Sequence, residues 1–161
     1  MTLRAISVPV DPTTRALFPQ ALMSDAYRLI VNEEALDALT AANRMFRRMP
    51  WWIRALMAMR NRLVAPLGLK MGRDKAITTS RRIGFFPIVT ETPERVVLGL
   101  DDKHLDFRIA VDVAKLEGAR RQITATTLVC SHNLLGRMYL AGVLPLHRII
   151  VPTMLTQADK N

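Results

Sequence analysis

Over residues 105–113 apolar and polar side chains alternate without a break, Leu105, Phe107, Ile109, Val111 and Val113 against Asp106, Arg108, Ala110 and Asp112, with His104 just before. A period of two predicts a strand with one buried face and one wet or polar face. Weaker alternation predicts further strands at 26–31, 85–90, 95–100 and 121–130. The polar breaks at 91–94 and 101–103 have hairpin length. In the last strand the expected inner set, Ile123, Ala125, Thr127 and Val129, is smaller than that of its neighbour.

Between the first strand and the rest the period becomes helical. Leu36, Leu39 and Phe46 share a stripe within 33–49, Pro50 ends that helix, and the same proline suits the first turn of a second helix at 51–64. Pro66 and Gly68 close it. The chain ends on a third and longer helix. Asn133 is a good N-cap, and residues 134–154 are almost all apolar apart from Arg137, His147 and Arg148. Such a helix spans about 30 Å and is expected to be buried on most of its circumference. Residues 1–25 read as an arm over the surface, 69–84 as a basic connector, 157–161 as a tail, and 26–156 as one domain. A meander of strands with helices segregated at its ends is α+β, with an antiparallel sheet wrapped around a long C-terminal helix.

The 161 residues suffice for a real core. The single Cys130 has no partner for a disulfide and no metal-ligand spacing around it, so a reducing, cytoplasmic setting is expected. Neither a secretory leader nor a membrane span is expected. Charge is the informative part of the composition. Of the 23 Lys and Arg, eleven lie between Arg44 and Arg82 against the single acid Asp74, and the remainder is close to neutral. Any anionic partner is expected to meet this segment. Trp51 and Trp52 beside Arg44, Arg47, Arg48 and Arg54 form the candidate patch for an anionic membrane surface. Nucleic acid is not expected, because no groove-reading motif is present.

Candidate chemistry is sparse. His104, Asp106 and Arg108 share a strand face, yet one His among them falls short of a metal site, and a face of paired charges explains the pattern. Cys130 and His132 lack the third group and the oxyanion donor that a nucleophile requires. No catalytic residue, metal or cofactor is expected. Arg137 and Arg148 stand three helical turns apart on one helix face, and are expected to pair with Asp101, Asp106 or Glu94, locking helix to sheet.

Three groups of residues carry a resemblance over about 24–155: Pro50-Trp51-Trp52 with Arg60 and Leu67-Gly68-Leu69; the run from Gly99 to Arg108; and His132-Asn133, Leu135-Gly136-Arg137, Tyr139-Leu140 and Pro145 with His147-Arg148. In these the chain resembles the helix-grip proteins of the START-like (Bet v 1-like, SRPBCC) superfamily. More narrowly, it resembles a bacterial family of unknown function, sometimes fused to NAD(P)-binding short-chain-dehydrogenase-like domains. The resemblance implies a cavity between the sheet and the closing helix for an apolar or amphipathic ligand, with Phe107, Ile109, Ala125, Thr127, Tyr139, Val143 and His147 as its candidate lining. Gly136 and Gly142 facing Ala125 and Thr127 would leave room for it or merely allow close packing. The leading expectation is thus a non-enzymatic ligand binder. The alternatives are a cyclase-like or hydratase-like enzyme using the same cavity, with His147, Arg148 or His132 polarising a carbonyl, and a module docking through residues 44–82.

Overall fold

Among the residues that the computed structural model describes, 4–67 and 81–159, the elements follow as β1 (Ile6–Val8), α1 (Pro12–Arg15), β2 (Met23–Asn32), α2 (Ala38–Arg47), α3 (Trp51–Val64), β3 (Arg82–Ile83), β4 (Phe86–Glu91), β5 (Arg95–Asp101), β6 (Leu105–Lys115), β7 (Arg120–Ser131) and α4 (Leu134–Thr156). All strands are antiparallel neighbours in one curved sheet of order β1-β2-β7-β6-β5-β4-β3. The architecture is α+β and matches a helix-grip fold. Hairpins make the run β3 to β7. The one long-range closure brings β2 against β7, Met23 opposite Val129 through Asn32 opposite Arg120. Residues 68–80, which take in 69–80 of the expected connector, lie outside the described residues.

The strict alternation of β6 places Phe107, Ile109, Val111 and Val113 on the face that α2, α3 and α4 cover. With Leu29, Val96, Leu98 and Ile123 they build the main core. The helix expected from residue 33 begins at Ala38, because the side chain of Asp37 accepts from the Thr40 amide at 2.7 Å and caps it there. That leaves Glu33 free to take both ends of the Arg44 guanidinium, at 2.6 and 2.9 Å.

Three expectations are corrected. Residues 1–25 do not merely lie over the surface: β1 pairs with β2 as an edge strand, and Phe18 and Ala21 bury against Leu128 and Cys130 on the outer face of the sheet. Three residues ahead of Pro9 are too few for a periodic signal. Residues 157–159 form a 3-10 turn rather than a loose tail. Its Ala158 is fully buried, with its carbonyl accepting from Arg44. The largest correction concerns α4. Only Gly136, Met154 and Leu155 of this helix are buried, while Leu134, Met138, Leu146 and Ile149 are exposed. The helix lies along the sheet edge-on to solvent, with one face inward and an apolar face outward. The stretch Leu134–Asp159 is long and apolar enough to cross a membrane by length and composition alone, yet Met154 and Leu155 within it are buried in the core of the domain.

Candidate functional site

Where α4 leaves the sheet, a partly open hollow of about 190 Å3 remains. Phe107 and Ile109 of β6 and Ala125 and Thr127 of β7 form its floor, and Tyr139, Val143 and His147 of α4 form its roof. Met49, Ile53 and Met57 close a side from the α3 end. Phe46, Phe86 and Phe107 form a second wall, each ring edge-on to the next at 5.3 Å. Ala125 and Thr127 are short where the register sets them under α4, so side-chain size on β7 leaves the space. The glycines of α4 do not. A Cβ on Gly136 would run into the backbone carbonyl of His104, so this glycine serves close packing, and Gly142 looks into open space on the exposed face.

Among the polar side chains of this mostly apolar lining, Thr127, Tyr139 and His147, the histidine is paired with a residue from the other end of the chain. His147 Nδ1 lies 2.9 Å from Asp25 Oδ2 on β2, with both side chains largely buried. In the neutral tautomer that donates Nδ1–H to the carboxylate, Nε2 of the same ring is an acceptor. Asp25 Oδ1 is buried without a hydrogen-bond partner, and Thr127 stands opposite Asp25 on β7. Next to this pair the Tyr27 hydroxyl is held above the usual phenol range, first by burial and then by the charge of Asp25, with Arg148 opposing. Sequence reading singled out His147 but missed Asp25. The aspartate lies in the inward register of β2, where Met23, Tyr27, Leu29 and Val31 are apolar, and an acid at an inward position is the signal that could have found it.

The expected ion pairs form differently. Arg108 pairs with Asp101 at 2.5 Å and lies over the ring of Phe18, while Asp106 takes His132 Nε2 at 2.7 Å and the Asp102 amide at 3.0 Å. Asn133 caps α4 through the Gly136 amide and donates to His104 Nδ1 at 2.8 Å. These contacts tie the start of α4 to the β5–β6 turn. Arg137 and Arg148 are exposed and make no ion pair among the described residues, so the lock between helix and sheet is His147 with Asp25.

The family profile of DUF2867, described as a protein of unknown function, matches residues 17–154. The chain belongs to this family. No curated protein matches it. Among solved structures it is similar to CalU16 from Micromonospora echinospora, at 11% identity and a TM-score of 0.33 over 85% of this chain and 82% of that one. The DUF2867 match takes in Asp25, His147 and the hollow between them and the sheet.

The residues of the expected anionic-surface patch do not share one surface in this DUF2867 chain. Arg44 is turned inward to Glu33, Trp52 packs against the core, and Arg47, Arg48, Trp51 and Arg54 are exposed. A larger, open cleft of about 1110 Å3, lined by polar and apolar groups alike, lies on the opposite face of the sheet, under the arm. Within it Arg95 pairs with Asp112 and donates to the Thr14 hydroxyl, and Arg121 donates to the Glu34 carbonyl. The Arg95–Thr14 contact ties the arm to the sheet. No group of three or more His, Cys, Asp or Glu capable of holding a metal occurs among the described residues.

Proposed function

We propose that this protein holds a small, mostly apolar molecule with one hydroxyl or carbonyl group in the hollow between the sheet and α4. The observation that carries the reading is the combination of a mostly apolar lining with His147 in its wall, a ring held from behind by Asp25. Apolar area sets affinity and one placed polar group sets orientation, the usual division in small-molecule sites. Size narrows the class. A dry cavity of about 150 Å3 holds a benzene, so about 190 Å3 suits one or two rings or a short branched chain rather than a long acyl chain.

A second reading, acid–base chemistry on that ligand, is favoured by the same pair. His147 with Nδ1 held by a carboxylate is arranged to accept a proton at Nε2, and the imidazolium so formed is stabilised by Asp25. The substrate would be a carbonyl compound with an acidic neighbouring C–H, or a hydroxyl to be eliminated as water.

Native mass spectrometry of freshly purified protein, with and without added indole, tests the reading. Expected is a small-molecule adduct on the wild type that is lost in Val143→Phe, which fills the roof of the hollow. Bare protein under both conditions would overturn it.

A further inference from the structure

The outward face of α4 is the feature that ligand binding in the hollow does not use. Leu134, Met138, Leu146 and Ile149 recur at helical spacing and are 72%, 66%, 42% and 58% exposed. Ala141, Gly142 and Pro145 fill the positions between them, also exposed. Arg137 and Arg148 stand on the same side, about 16 Å apart along the axis, and neither is tied to an acid among the described residues. Helix α3 also exposes Trp51 and Met59 together with Arg54 and Arg62. Neither helix contains a single Asp or Glu.

An apolar face of this extent on a lone chain marks something that covers it. Charge decides between occupants. A second copy packed α4 against α4 brings arginine to arginine, with no acid on either helix to offset them. A transmembrane course would place Arg137 and Arg148 within or near the hydrocarbon at about 3 kcal/mol each, and would pull Met154, Leu155 and His147 out of the fold. A helix lying in the plane of an anionic bilayer meets neither objection: its apolar side chains enter the acyl boundary and its arginines stay at the headgroups.

We infer that α4 is a membrane-docking face, through which this protein lies on anionic lipid by Leu134, Met138 and Ile149 with Arg137 and Arg148 at the headgroups. The surface differs from the basic segment at 44–82, and the inference does not rest on the ligand-binding reading.

Co-sedimentation of the full chain with phosphatidylcholine vesicles, with and without 30% phosphatidylglycerol, at low and high salt, tests it. Expected is sedimentation with the anionic vesicles at low salt, reduced at least tenfold in Met138→Asp/Ile149→Asp and several-fold in Arg137→Gln/Arg148→Gln. Both pairs are exposed, so near-UV circular dichroism and the unfolding midpoint should stay at wild-type values. Absence of binding to the anionic vesicles, or binding that both double variants leave intact, overturns the inference. So does a dimer seen by light scattering that Met138→Asp/Ile149→Asp converts to monomer, since the face then belongs to a second copy.

Discussion

His147 and Asp25, 122 residues apart in the chain, meet at 2.9 Å and join the closing helix to the first long strand. The pair lies where an apolar floor and roof would otherwise meet, so it has two consequences, one for stability and one for the ligand. Replacing His147 by Ala leaves a largely buried carboxylate without its donor, a loss of about 1–3 kcal/mol. Asp25→Asn keeps a partner for the ring and should lose less. Urea unfolding of the two variants measures the difference, and equal losses would show that the hydrogen bond is not what holds α4.

Gly136 and Gly142 sit six residues apart in α4 and should respond to alanine with opposite signs. At Gly136 the added methyl meets the His104 carbonyl, which is backbone and cannot move aside, so Gly136→Ala should destabilise by about 1–3 kcal/mol. At Gly142 nothing lies within 4 Å, and Gly142→Ala should stabilise by about 0.5–1 kcal/mol through helix propensity alone. Thermal unfolding of the two single variants checks both signs.

Arg44 gathers three parts of the chain: Glu33 after β2, its own helix α2, and the Ala158 carbonyl at the C-terminal turn. Its hydrogen bonds hold the Glu33 carboxyl below the usual glutamate range, against the opposing effect of burial. A carboxyl whose folded value is lowered contributes stability that is fully present above its unfolded value, about 4.3, and is lost as pH falls through the folded value. Glu33→Gln should therefore cost about 1 kcal/mol at pH 7 and less at pH 3, the cost shrinking as pH falls through the folded value. Stability curves at the two pH values test this, and a constant difference would contradict it.

Much of the architecture was legible because periodicity is a local signal. The alternation of β6, the Pro50 boundary and the Asn133 cap each state their element within a few residues, and the structure has all three. What escaped is what depends on distant partners. β1 is three residues long and exists because β2 offers it an edge, and α2 starts late because Asp37 caps it while Glu33 is drawn to Arg44. The exposure of α4 escaped for a different reason. Composition around a helix shows that an apolar face exists, whereas only the reach of the sheet decides how much of it is covered, and here the sheet covers one side. In the site, Phe107, Ile109, Ala125 and Thr127 follow from strand parity, but Asp25 could be placed beside His147 only through the β2–β7 register and the path of α4.

The hollow beneath α4 is the core of the functional account, and chemical-shift mapping with indole as probe tests it most directly. The account predicts that methyl and backbone signals of Ala125, Val143, Ile109 and Ile150, with the His147 ring, shift on titration, and that Val143→Phe abolishes the response. Shifts confined to Met138 and Ile149 on the outer face of α4, or none at any position, would contradict it.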